Sequence, residues 1–255
     1  MNKSYSVIST HKAVILEMIK LINPKYNKAF TIIGRFMKGI HKNNPMKPRY
    51  QATWDVSIVL RLLTSWMPLN SLTLKNLTFK LVALITLASA ARAQTLKALR
   101  VDKCIFQNDS VSFNCGDKLK TSKPGTDFVL YLKRFEKEEL CPVKTLKAYL
   151  VKTKNLRKDK QLFVSFVNYK PVTTSTIARW LKNVLSLAGI SVEIYKAHSY
   201  SSASSSAAVR AGCKLKDIMK TADWSSVKNF KKFYLRDVEE KVEETNYSKY
   251  VLSKT

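Results

Sequence analysis

Residues 196–237 hold an unusual run of side chains suited to chemistry on an anion. KAHSYSSASSSAAVRAG (Lys196 to Gly212) sets a histidine, His198, ahead of a helix of small residues. ADWSSVKNFKKFYLRD (Ala222 to Asp237) follows, with Trp224 26 positions beyond His198 and Tyr234 ten beyond Trp224. Upstream, Arg92 stands in ASAARAQTL, where small neighbours let a phosphate approach a guanidinium closely; the plainer reading is that it complements a helix dipole. Lys118, Lys120 and Lys123 stud the turn KLKTSKPG, which reads plainly as a solvated loop. Tyr234 falls seven residues after Val227 on the face that also carries Phe230, so its plain reading is a core aromatic.

The charge supplies the partner such residues would need. Lysine and arginine total 45 against 18 acidic residues, a net +27, and Asp237, Glu239, Glu240, Glu243 and Glu244 crowd into eight positions near the C-terminus. The remaining body is more basic still. That imbalance repels itself in a free compact protein and favours a polyanion through counterion release, nucleic acid ahead of a ribosomal or membrane-surface role. The 255 residues suffice for one large domain, or a small arm plus one domain, around a real core. Cys104, Cys115, Cys141 and Cys213 form no CxxC pair and have no histidine at zinc-ligand spacing, which points to free thiols in a reducing compartment and to no metal site. The longest mainly apolar run, Leu81 to Ala91, is bracketed by Lys80 and Arg92 and is too short to span a bilayer; no signal peptide is expected.

Helices must position these groups. Apolar periodicity predicts short helices over Ala13 to Ile22 and Ile32 to Ile40, then an exposed linker, HKNNPMKPRY (His41 to Tyr50). A helix is expected between Trp54 and Trp66. Ser71 or Thr73 caps the next, which turns Leu74, Leu77, Leu81 and Ile85 to the core and ends at Arg92. The period then changes: CIF, VSFNC and FVLYL, separated by QNDS and KTSKPG, predict a two- or three-stranded antiparallel sheet. Pro142 opens a helix with Val143, Leu146 and Leu150; Gln161 to Val167 reads as a short strand; and TTSTIARWLKNVLSLAG reads as a helix capped at Thr173 to Ser175 and stopped by Gly189. An extended segment leads to His198, and two further helices carry Leu215, Ile218, Met219 and then Val227, Phe230 and Tyr234.

The order and spacing of His198, the small-residue helix, Trp224 and Tyr234 resemble the active-site end of the tyrosine recombinases, most closely those of DIRS-type retrotransposons. RFMKGI and PMKPRYQATWDVSIVL (Arg35 to Ile40, Pro45 to Leu60) resemble the start of that recombinase domain. The resemblance covers about residues 35 to 250. It implies an α+β fold, mainly helical with a small antiparallel sheet, as in the integrase-like catalytic domain. Residues 1–44 would be a helical remnant of the DNA-clamping arm plus linker, and 45–255 the catalytic domain. It also implies an activity: DNA recombination and integration, with strand cleavage and rejoining through a 3′-phosphotyrosyl intermediate. Bond energy is conserved in that exchange, so no ATP, metal or other cofactor is required. Cations must meet the negative charge of the phosphoryl transition state.

On this resemblance Arg92 is the first catalytic arginine and His198 the histidine that binds the phosphate and helps move the nucleophile's proton. Lys120 is the general acid on its hairpin, with Lys123 the alternative; Trp224 buttresses the phosphate; Tyr234 is the nucleophile. Where the family has His-x-x-Arg, this chain has His198, Ser199, Tyr200, Ser201. A neutral hydroxyl cannot replace a bidentate guanidinium, and a loss of roughly 10² to 10⁵ in rate is expected. Arg210 cannot substitute, since roughly two and a half helical turns put it about 13 Å away on the opposite face. The interval from Trp224 to Tyr234 is one residue longer than in many phage integrases, which leaves Phe233 at their tyrosine position; the DIRS-type members share the longer interval.

The implied setting is nuclear, with duplex DNA as partner, no membrane, and protomers that assemble on DNA. The acidic segment Val238 to Asn246 would be either a helix that packs on a neighbour or a solvated tail. Two other readings stay open: a duplex-DNA-binding protein that keeps the fold without catalysis, and a basic RNA-binding or ribosome-associated protein.

Overall fold

The computed structural model describes residues 3–24, 28–115 and 128–238. Lys118, Lys120 and Lys123 lie outside them, as does the acidic segment beyond Val238, so the hairpin lysine and the neighbour-packing helix have no structural counterpart among the described residues.

The chain divides into two compact units, Met1–Arg49 and Tyr50–Thr255. In the first, α1 (Tyr5–Ile22) and α2 (Lys28–Asn43) form a helical hairpin. Ser4 caps α1 by accepting the Val7 N–H, and the Tyr5 ring lies 4.8 Å from that of His41, joining the start of α1 to the end of α2. Both helices run longer than their apolar periodicity suggests, and α2 takes the first residues of the expected linker.

The second unit is built around α4 (Leu74–Ser89), with α6 (Pro142–Thr153), α7 (Thr174–Leu187) and α8 (Ser199–Arg210) against it and α3 (Val56–Ser65) packed on α7 and α8. Thr73 caps α4 through the Asn76 N–H at 3.2 Å. Every residue from Leu77 to Thr86 is buried, so this middle stretch of α4 has no solvent face and is core on all sides. Thr78, Thr86 and Ser89 satisfy their hydroxyls on carbonyls one turn back, at 2.6, 2.7 and 2.6 Å. Asp55 caps α3, Cys141 precedes Pro142 at the start of α6, and Thr173 caps α7, which ends at Gly189 with a φ of 79°. No helix among the described residues is long and apolar enough to cross a membrane.

Three strands, β1 (Cys104–Gln107), β2 (Ser110–Asn114) and β3 (Val129–Lys133), form one antiparallel sheet in that order. Val111 pairs with Leu132 and Phe113 with Leu130, and all four face the core with at most 1 % exposure. Two expectations fail. Gln161 to Val167 is no strand: Leu162 and Val101 exchange bonds with Leu99 and Lys160 in an isolated bridge, and the Val164 N–H goes to the buried Tyr149 hydroxyl at 3.1 Å. The segment before His198 is not extended either; Tyr195 N–H to Ser191 O (2.9 Å) and Ser199 N–H to Lys196 O (2.8 Å) fold it into turns. In the first case partners distant in the chain take the backbone groups, and in the second local turns do.

One buried charge stands out. Lys80 is 0 % exposed, and its Nζ donates to the carbonyls of Leu63 (2.8 Å) and Trp66 (2.7 Å), closing the end of α3 from another helix. Burial pulls its pKa down to about 8 from an ordinary 10.5, with Glu139 opposing weakly. The unfolded chain therefore binds more protons between those values, and stability rises with pH across that window. Relative to Lys80→Met, the native protein should gain about 2 to 3 kcal/mol between about pH 7 and pH 10. Urea denaturation of both proteins at the two pH values measures it.

Candidate active site

The site begins where α4 stops. Ala90 takes a left-handed conformation, φ 51° and ψ 19°, and turns the chain sharply; Arg92 follows at the N-cap of α5 (Ala93–Ala98). Arg92 is thus not the last turn of α4, as its spacing suggests, but the start of a new helix, free of the ladder that a mid-helix arginine would obey. It is half-buried.

α8 braces this turn. The Ser201 hydroxyl donates to the Ala90 carbonyl at 2.7 Å and that of Ser204 to the Leu87 carbonyl at 2.5 Å. Serine and alanine at these positions let α8 lie close against α4. Ser201 is 3 % exposed, so its side chain is a structural pin at the place expected to hold a second arginine. α8 is unbroken to Arg210, whose Nη1 donates to the Arg236 carbonyl at 3.2 Å, far along the helix from position 201 as anticipated.

The remaining elements bring an aromatic cluster to Arg92. After α9 (Leu215–Thr221), a turn through Asp223, φ 52°, leads to Trp224; Ser226 then caps α10 (Val227–Phe233) through the Asn229 N–H at 3.2 Å. Phe230 is buried at 1 %, but Val227 is 44 % exposed and Tyr234 is half-buried, so this helix face is not uniformly core. Tyr234 lies just past the helix as its C-cap, with its N–H on Phe230 O at 2.8 Å. Its ring is 4.6 Å from Trp224, and its hydroxyl meets Arg92 Nη2 in a long 3.5 Å contact, with the guanidinium 6.0 Å from the ring centroid. Phe233 instead carries Lys232 over its ring, at 5.1 Å.

Arg92 and Trp224 therefore both contact Tyr234. His198 is the N-cap residue of α8, exposed, with its ring 6.1 Å from Tyr50. It stands one helical turn from Ser201, which is bonded to the Arg92 turn. Its neighbour Ser199 accepts the Trp54 indole N–H at 2.8 Å. Lys120 falls outside the described residues.

Several residues of the site carry no clear mark in the sequence. Tyr50 falls in the expected linker, yet its ring is 6.1 Å from that of His198, its hydroxyl accepts the Lys196 N–H at 3.2 Å, and its carbonyl accepts Arg236 Nε at 2.7 Å. Ser202 and Ser206 both donate to the Tyr234 carbonyl. Their four-residue spacing within SSASSSAA was the available signal, since it puts two hydroxyls on one helix face. Nothing in the local sequence marks Arg236 or Tyr50.

Chemically, a fixed cation beside a half-buried phenol can steady a developing phenolate and hold an anion's oxygens in the same place. Solved structures share this architecture. The Tn1549 transposon integrase, solved with circular-intermediate DNA, aligns with a TM-score of 0.57 at 13% identity over 90% of this chain and 75% of its own. XerA recombinase gives 0.55 at 16% identity, over 99% and 83%. The fold is that of the tyrosine recombinase catalytic domain. XerH recombinase bound to its difH substrate, before cleavage, gives 0.55 at 16% identity over 74% of this chain, and the chain spans about half the length of that recombinase, 50%. No protein-family model and no curated protein matches the sequence. Of the site residues named from the sequence, Arg92 and Trp224 each contact Tyr234, His198 is the N-cap residue of α8, and the Ser201 hydroxyl is bonded to the Ala90 carbonyl.

Proposed function

We propose that this protein binds duplex DNA and carries the strand-cleaving apparatus of a tyrosine recombinase, slowed by the loss of the second arginine at Ser201. The observation that carries the reading is the approach of Arg92 Nη2 to the Tyr234 hydroxyl at 3.5 Å, made between residues of one chain. In this reading Tyr234 attacks a backbone phosphorus, the 5′-oxygen leaves, and Arg92 neutralises the nonbridging oxygens. His198 binds the phosphate and relays the proton, Trp224 supports the tyrosine and phosphate, and Lys120 or Lys123 protonates the departing oxygen. No cofactor enters. The net +27 supplies the DNA affinity.

The finer setting belongs to the same proposal: kinship with DIRS-type elements, action in the nucleus, assembly of copies on DNA, and residues 1–44 as part of a clamping arm ahead of a domain over 45–255. The Ser201 pin favours a second reading, DNA binding without cleavage, because the hydroxyl is committed to Ala90 rather than offered to a ligand.

The two share a binding test. Affinity for a duplex DNA should fall steeply and linearly on a log–log plot against salt, and Tyr234→Phe should leave it unchanged. Only the cleaving reading yields a protein–DNA covalent adduct on a nicked duplex, and Tyr234→Phe abolishes that adduct. Preference for an RNA of equal length over duplex DNA in competition would overturn both.

A further inference from the structure

We infer that Ser202 and Ser206 are positioning residues that seat Tyr234 against Arg92. The inference rests on the reading of Tyr234 as nucleophile, but the geometry behind it is independent of catalysis.

The carbonyl of Tyr234 lies just past α10, where a helix end leaves acceptors without an internal partner. Water could satisfy it. Instead two hydroxyls converge there, Ser202 Oγ at 2.5 Å and Ser206 Oγ at 3.1 Å, from residues only 3 % and 0 % exposed. A serine has one proton to give, and Ser206 spends it on Tyr234; its lone pair then accepts the Arg236 N–H at 2.9 Å. The same two side chains thus bracket the peptide units on both sides of Leu235. Three further bonds hold the strip beyond: Arg236 Nε to Tyr50 O (2.7 Å), Arg210 Nη1 to Arg236 O (3.2 Å) and Thr53 N–H to Asp237 O (2.8 Å).

The other serines of α8 point elsewhere. Ser201 and Ser204 grip the carbonyls of Ala90 and Leu87, at the end of the helix that delivers Arg92. One rigid helix therefore fixes the Arg92 turn through one pair of hydroxyls and the Tyr234 backbone through another. The 3.5 Å approach of guanidinium to phenol is set by α8, which contributes neither group. An alanine helix would pack as closely and fix neither.

The test places 3-fluorotyrosine at position 234 of the full chain and follows its fluorine resonance, which the Trp224 ring 4.6 Å away displaces from the unfolded position. Ser202→Ala and Ser206→Ala should each move the resonance part of the way toward its position in urea, and the double variant further. Ser205→Ala removes a serine bond that stays within α8, to the Ser201 carbonyl, and should leave the resonance in place. If the double variant does not fold, the single variants carry the comparison. An unmoved signal in both single variants overturns the inference, and so does an equal movement in Ser205→Ala, which would report general loosening.

A second arm reads adduct formation on a nicked duplex in a Ser201→Arg background. The double variant should lose roughly 10²-fold in the rate at saturating DNA with its DNA affinity intact, as expected when a nucleophile is displaced by about 1 Å. An equal rate would overturn the inference. If the Ser201→Arg parent forms no adduct, the cleaving reading fails, and the fluorine signal still decides what the serines do.

Discussion

Ser201→Arg should raise the rate of covalent adduct formation on nicked duplex DNA by roughly 10²- to 10⁵-fold. Position 201 is in the first turn of α8, and its side chain already reaches the carbonyl two residues before Arg92. A guanidinium from that point extends toward the phosphate that Arg92 would hold, adding a second planar fork where the negative charge of the transition state gathers. The substitution has its own cost. The bond to Ala90 is lost, about 1 kcal/mol, and a long side chain must leave a site with 3 % exposure. A modest fall in thermal stability should therefore accompany the gain. Denaturing gels resolve the adduct, and Tyr234→Phe in the same background must erase it. A folded, DNA-binding Ser201→Arg protein that forms none would leave the fold as a binding scaffold only.

Trp54→Ala should destabilise the protein by about 3 to 5 kcal/mol. The indole is 3 % exposed, packs edge-on against the fully buried Tyr200 ring at 5.1 Å, and donates Nε1–H to Ser199 Oγ at 2.8 Å. Truncation opens a cavity between α3 and α8 and strands a buried hydroxyl. Trp54→Phe keeps an aromatic on Tyr200 and loses only the hydrogen bond and part of the volume, so about 1 to 3 kcal/mol is expected. Urea unfolding with unchanged slope separates these losses from a change in the denatured ensemble. Ser199 is the neighbour of His198, so the alanine variant should weaken the site as well as the core.

The helices with strong punctuation were legible in the sequence. Thr73, Pro142, Thr173 and Gly189 mark their ends by chemistry that acts within a few residues, and the three β-rich runs form the antiparallel sheet expected of them. What the sequence hid was decided by partners distant in the chain. Gln161 to Val167 has a strand's composition, but Leu99 and the Tyr149 hydroxyl claim its backbone. Tyr50 reads as linker because its meaning lies in a histidine 148 positions away. Arg92, Trp224 and Tyr234 were singled out by order and spacing; only their approach shows that α10 ends one residue before Tyr234 and so releases it from the core face. The serines of α8 read only as small residues, although they specify two faces of one helix at once.

The distances along the chain that the site must close have a consequence for assembly. Arg92 waits for a residue 142 positions later, Trp54 for one 145 later, and Tyr50 for one 186 later. Contacts of such separation are the slowest for a folding chain to make, whereas the hairpin of β1 and β2 is local and α4 with α6 closes a shorter span. On a ribosome the scaffold can therefore compact while position 234 is still unmade. The approach of Tyr234 to Arg92 belongs to the last contacts to form, together with the parallel bridge of Thr53 with Val238.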